Sequence, residues 1–115
     1  MNAIIFNNVS MDEDYESEWT PIYLEKMYGY NKLATAISIQ VAWYDVAGNF
    51  DGKIHVLCSN DLVNAANGME INVSSASNLN DPHLIIMYPA FQYLKLKYVA
   101  NAITEGVLNA IITYK

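Results

Sequence analysis

Residues 37–43 read Ile-Ser-Ile-Gln-Val-Ala-Trp, and this step-by-step alternation restricts the fold more than any other feature of the chain. Successive side chains of an extended strand point to opposite faces, so such spacing writes one buried face and one less buried face. The step recurs. Ile54, Val56 and Cys58 share a face of KIHVLCSN, and Met69, Ile71 and Val73 share one of MEINVSSAS. Leu94, Leu96 and Tyr98 stand opposite Lys95 and Lys97, and Leu108, Ala110, Ile112 and Tyr114 keep step near the end. LIIMY (residues 84–88) is a continuous apolar run closed by Pro89. Residues 21–28, PIYLEKMY, favour a strand after Pro21, with a helix as the alternative.

Turn residues separate these segments: Gly29-Tyr30-Asn31, AGNFDG (47–52) as a hairpin loop, SNDLVNAANG (59–68), NLNDP (78–82) and AITEG (102–106). Gly106 is placed where the backbone needs an angle that other residues resist. Seven or eight short strands with short connections predict an all-β fold, an antiparallel β-sandwich of jelly-roll or Ig-like type. The chain has 115 residues, which suits one domain with one modest core.

Residues 1–20 read differently. Asn2–Val9 is a short strand or an extended arm, and Asp12, Glu13, Asp14, Glu16 and Glu18 then crowd together. Like charges this dense repel and stay solvated, which predicts an N-terminal arm over 1–20 ahead of a sandwich over 21–115; a helix start with acids in its first turn is the alternative.

Composition narrows the function. There are 12 acidic residues against 6 lysines, no arginine, and a net charge of −6. Arginine's planar fork is the preferred tool for phosphate and base edges, so nucleic acid is not an expected partner, and the same lack weakens docking on anionic lipid. No apolar run approaches the roughly 20 residues of a membrane-spanning helix. The opening MNAIIFNNVS lacks a basic start and a long apolar stretch, an expectation of a protein kept in the cytoplasm or assembled there.

Chemistry-bearing residues are sparse. His55 and His83 are the only histidines and Cys58 the only cysteine, with no ligand spacing for zinc. Cys58 lies in the register of Ile54 and Val56 and reads as a small core residue rather than a nucleophile. Asp12, Asp14 and Glu16 alternate as calcium ligands do, but no glycine turn lies among them. No catalytic residue, metal or cofactor is expected, and the protein is read as non-enzymatic. Asp12, Glu13, Asp14, Tyr15, Glu16, Trp19, Tyr28 and Tyr30 are the expected contact residues. Apolar side chains on both faces of LIIMY and AISIQVAW predict a covered outer surface, by self-association or a partner.

Ser38 to Trp43, then Asp51-Gly52, then a strand from Lys53 into Ser59-Asn60-Asp61 form one pattern; YLKLKYVAN, a glycine-containing turn and GVLNAIITYK complete it over residues 34–115. In this pattern the chain resembles small β-sandwich accessory proteins of tailed-phage particles, which decorate capsids or sit at head and tail fittings. Where those sequences often carry Gly and a nearby Trp after Ser-Asn-Asp, this chain has Leu62 and Asn64-Ala65-Ala66-Asn67. The resemblance implies a virion location, other capsid or tail proteins as partners, and assembly as an oligomer, with no catalytic residues to transfer. A carbohydrate-binding module is the competing expectation, carried by aromatics such as Trp19, Tyr28, Tyr30, Tyr44 and Tyr88.

Overall fold

The alternating segments are strands. The structure, a computed structural model, describes Met1 to Lys115 apart from Tyr28, residues 49–51 and residues 75–76, and gives the backbone alone at Lys26, Met27, Tyr30 and Asn31. In chain order the strands are β1 (Asn2–Ser10), β2 (Tyr15–Glu16), β3 (Thr20–Pro21), β4 (Tyr23–Met27), β5 (Tyr30–Leu33), β6 (Ile37–Gly48), β7 (Gly52–Ser59), β8 (Ala66–Val73), β9 (His83–Met87), β10 (Tyr93–Val99) and β11 (Ile103–Tyr114). There is no helix among the described residues.

Every pairing is antiparallel, and the pairings are nested: β1 with β11, β2 and β3 with β10, β6 with β9, β7 with β8. Such a nest is one long hairpin of strand pairs. Rolling it up sets β11 beside β6 and β10 beside β7, giving two sheets in the order β1-β11-β6-β9 and β2-β10-β7-β8, with β3 also on β10. This is the jelly-roll order, which decides between the two sandwich types expected from sequence. Eleven strands replace the expected seven or eight because β2 and β3 are two pieces of one interrupted strand and β4–β5 is a separate hairpin.

The loop at 47–52 is not a hairpin. Both sides of β6 are taken by β11 and β9, and both sides of β7 by β10 and β8, so the connection turns a corner between sheets; residues 49–51 lie outside the described residues. The inward faces are those the alternation marked. Ile37, Ile39, Val41 and Trp43 meet Ile54, Val56, Leu94, Leu96, Leu108, Ala110 and Ile112 in one core, closed at one end by Phe6, Met11 and Tyr98. Met69 keeps step with buried Ile71 and Val73 and pairs with buried Val56, yet it is 41% exposed on this edge strand, next to the bulge that leaves Gly68 as the extra residue.

The segment expected as a free arm is folded onto the body. Residues 2–10 are the edge strand of one sheet, and 15–16 and 20–21 are the edge of the other. Between them the chain crosses the end of the core. Met11 is fully buried, its amide donates to the Gly106 carbonyl at 3.0 Å, and its carbonyl accepts from the Tyr98 hydroxyl at 2.8 Å. The acids around it find hydrogen bonds: Asp14 accepts from the Ala100 amide at 2.9 Å, and Asp12 from the Ser10 hydroxyl at 2.7 Å. Charge density argued for solvation, and a buried methionine beside a buried tyrosine outweighed it.

Two glycines hold the β6–β11 end. Gly48 has φ +123°, and a Cβ there would stand 2.7 Å from the Ala102 carbonyl oxygen and 3.0 Å from the Ile103 Cα. Gly106 has φ +148°, in line with the angle expected of it, and a Cβ would meet Met11 Sδ at 2.6 Å. At Gly48 the obstruction is backbone, which cannot swing aside, so Gly48→Ala is expected to cost about 1–3 kcal/mol, read as a lower denaturation midpoint.

Tyr98 yields a second prediction. Burial, with the charges of Asp14 and Asp12, pushes its hydroxyl up to about 12 from an ordinary 10. The folded state therefore holds the proton more tightly than the unfolded chain. That stabilisation is complete below pH 10 and is lost as pH rises toward 12. Tyr98→Phe strands the Met11 carbonyl and is expected to cost about 1–3 kcal/mol at neutral pH. Its melting temperature should also fall less steeply than that of the parent between pH 10 and 12.

Candidate functional site

The two outer faces of the sandwich differ in charge. On the β2-β10-β7-β8 sheet, register places Glu16, Lys97, His55 and Glu70 in one cross-strand row. Lys95 Nζ lies 2.7 Å from Glu16 and 4.4 Å from the centre of the Trp19 ring. Lys53 Nζ lies 3.4 Å, and His55 Nδ1 3.5 Å, from the Glu70 carboxylate. The hydrogen bond from Lys95, helped by the charges of Lys95 and Lys97, holds the Glu16 carboxyl below its usual range against the opposing effect of burial. Each carboxylate of this face has a lysine beside it, so the face neutralises itself, and its exposed pairs contribute little stability.

The outward face of the β1-β11-β6-β9 sheet is built differently. Ile4, Ile111, Gln40 and Leu84 form one cross-strand row, and Asn2, Thr113, Ser38 and Ile86 the next. Asn109 and Ala42 continue it. Outward positions over residues 38–44 and 107–113, with those of β1 and β9 beside them, carry no charged side chain among the described residues. Ile4 is 67%, Ile86 62%, Leu84 56% and Ile111 42% exposed. The large side chains of β9 stand as a wall beside small ones on β6 and β11. The result is a groove of about 510 Å³ between Ile86 and Tyr88 on one side and Ser38 and Thr113 on its floor, with Ala36, Ile37 and Lys115 at its end.

The sequence-predicted contact residues do not form one site. Asp12 and Asp14 are at the core's end. Glu13 is exposed on the same connection. Tyr15 lies in register with Tyr98, its ring edge-on to Phe6 at 5.6 Å. Glu16 and Trp19 attend Lys95 on the charged face. Tyr30 belongs to the β4–β5 hairpin, which pairs with neither sandwich sheet, and Tyr28 lies outside the described residues. The neutral face was half visible: the run LIIMY announced Leu84 and Ile86. Ile4 and Ile111 were missed because each sits between residues that turn inward, and the only signal was an isoleucine at an out-of-step position.

Other polar groups have structural partners. The Ser59 hydroxyl accepts from the amides of Asp61 and Leu62 and donates to Asp61 at 3.0 Å, while Asp61 accepts from the Val63 and Asn64 amides and the Asn64 side chain. These bonds hold the Asp61 carboxyl far below its usual range, those from Asn64 and Val63 first. Burial raises the Cys58 thiol. No group of three or more His, Cys, Asp or Glu side chains that could hold a metal occurs among the described residues. Compared with known proteins, the chain matches no family model, no curated protein and no solved structure.

Because the folded-state value of Asp61 is depressed, the order of loop 59–64 is present above the ordinary carboxylate pKa of about 4 and weakens as pH falls below it. Asp61→Asn is expected to speed amide exchange at Val63 and Asn64 at pH 7 while exchange in β7 and β10 stays unchanged.

Proposed function

We propose that this chain is a structural, non-enzymatic component of a phage particle, an auxiliary capsid or head/tail accessory protein that works by protein–protein contact. The observation that carries the reading is the neutral, aliphatic outer face of the β1-β11-β6-β9 sheet on a chain of net charge −6. Removing apolar surface from water is worth about 25 cal/mol per Å². Completing the burial of Ile4, Leu84, Ile86 and Ile111 is therefore favourable by roughly 1 kcal/mol each, a weak contact that many copies on a particle multiply. A jelly roll is a stiff body, and viral capsid domains are among the known uses of the architecture. Fold alone assigns no role, and the particle setting comes from the sequence pattern over residues 34–115.

With residues 2–21 paired into both sheets, attachment is assigned to the sheet face in place of a reaching arm. The carbohydrate reading receives less support. A sugar platform needs open, coplanar rings. Of the rings expected to form one, Trp19 is covered by Lys95, and the open Tyr88 stands beside the groove of the other sheet, so the two share no platform.

Mass spectrometry of purified particles is the test. The parent chain is expected as a particle component, and Ile86→Glu is expected to lower its copy number at least tenfold. Absence of the parent chain from particles rejects the reading.

A further inference from the structure

We infer that the neutral face is a two-fold interface between two copies of this chain. The inference rests on the reading of that face as the contact surface, and it names the partner. Charge is the first argument. Each copy carries −6, and the face is the region where two copies approach without setting carboxylates opposite one another. Like charges brought together across an interface cost several kcal/mol. A foreign protein would be selected by a charged rim, whereas interfaces between identical subunits are the more apolar class.

Shape is the second argument. A two-fold contact uses one patch twice, so the patch must hold both a projection and its receptacle. The β9 wall of Leu84 and Ile86 is the projection, and the groove over Ser38 and Thr113 is the receptacle. Two faces offset by one strand set each wall over the other's groove.

Area sets the strength. Four strands about 4.8 Å apart and some seven residues at about 3.3 Å each span roughly 440 Å² in projection. A corrugated surface exceeds its projection, and Tyr88 at one end adds to it. Two faces together span roughly 900 Å² in projection before the one-strand offset is taken off, which is below the roughly 1,000 Å² of a standard specific interface and in the range of weak, transient contacts. The pair is therefore a weak dimer with a dissociation constant on the order of 1–100 µM.

Sedimentation velocity on the full chain, from about 1 µM to 1 mM, is the decisive measurement. The expected result is a reversible monomer–dimer shift that raising the salt tenfold does not weaken, since no ion pair holds the interface. Ile86→Glu should leave a monomer at every concentration, with a melting temperature near the parent's because Ile86 is exposed. Leu84→Lys provides a second route to the same end, and Glu70→Gln on the opposite face should leave the dimer intact. A parent chain that is monomeric throughout overturns the inference, as does a dimer that survives both face substitutions or dissolves in salt. The two readings fail separately. Dimers in solution with no chain in particles leave the interface standing, and a strict monomer found in particles leaves the particle role standing with a different occupant on the face.

Discussion

Everything in this molecule depends on one requirement: a central strand must bury its apolar face and hydrogen-bond both of its edges at once. For β11 the first need is met by Leu108, Ala110, Ile112 and Tyr114, all turned inward, and the second by β1 on one side and β6 on the other. β10 meets the same pair of needs between β7 and the split strand β2/β3. These central strands fix the order of the rest. Once the last two long strands each lie between an early strand and a middle one, the chain has no arrangement left but a roll.

The inward half of this architecture could be read directly from the sequence. Period two is a local property, and Ile37, Ile39, Val41 and Trp43 or Leu94, Leu96 and Tyr98 declare it without reference to the rest of the chain. Partner choice is not local. The residues Ala47 to Gly52 have the composition of a hairpin loop, and nothing in them states that the neighbouring edges are already taken by four later strands, β8, β9, β10 and β11. The acidic segment shows the same limit from the other side. Five carboxylates within seven residues argue for water, and the counter-evidence was one methionine whose destination, under Tyr98 and against Gly106, is set by residues near the other end of the chain.

The outer faces were less legible still, because a face is a row across strands and a sequence is a column along them. Glu16, Lys97, His55 and Glu70 are adjacent in space and scattered in the chain, as are Ile4, Ile111, Gln40 and Leu84. Register alone turns the first set into a self-neutralising ladder and the second into an uncharged stripe. A one-residue slip of any one strand would break the row it belongs to, since it carries every side chain of that strand to the opposite face. In this sheet the register shifts, at Ile5 and around Asn8 in β1 and between Ile103 and Val107 on β11, leave the rows through Gln40 and Ser38 in register.

Sheet edges are the other route by which β proteins associate, and here the neutral sheet closes that route at both margins. On one side β1 is bent by its two bulges, with the Asn8 amide tied to the Asn109 side chain at 2.9 Å. On the other, β9 is five residues long and lies between Pro82 and Pro89, which offer no amide hydrogen for a further strand. Beyond the end of β9, Asn78 takes over the open edge of β6, accepting from the Trp43 amide at 2.7 Å and donating to the Val41 carbonyl at 3.0 Å. A sheet whose margins are bent, shortened and capped cannot grow sideways. Of the two routes, the face is therefore the better placed for the contact proposed above.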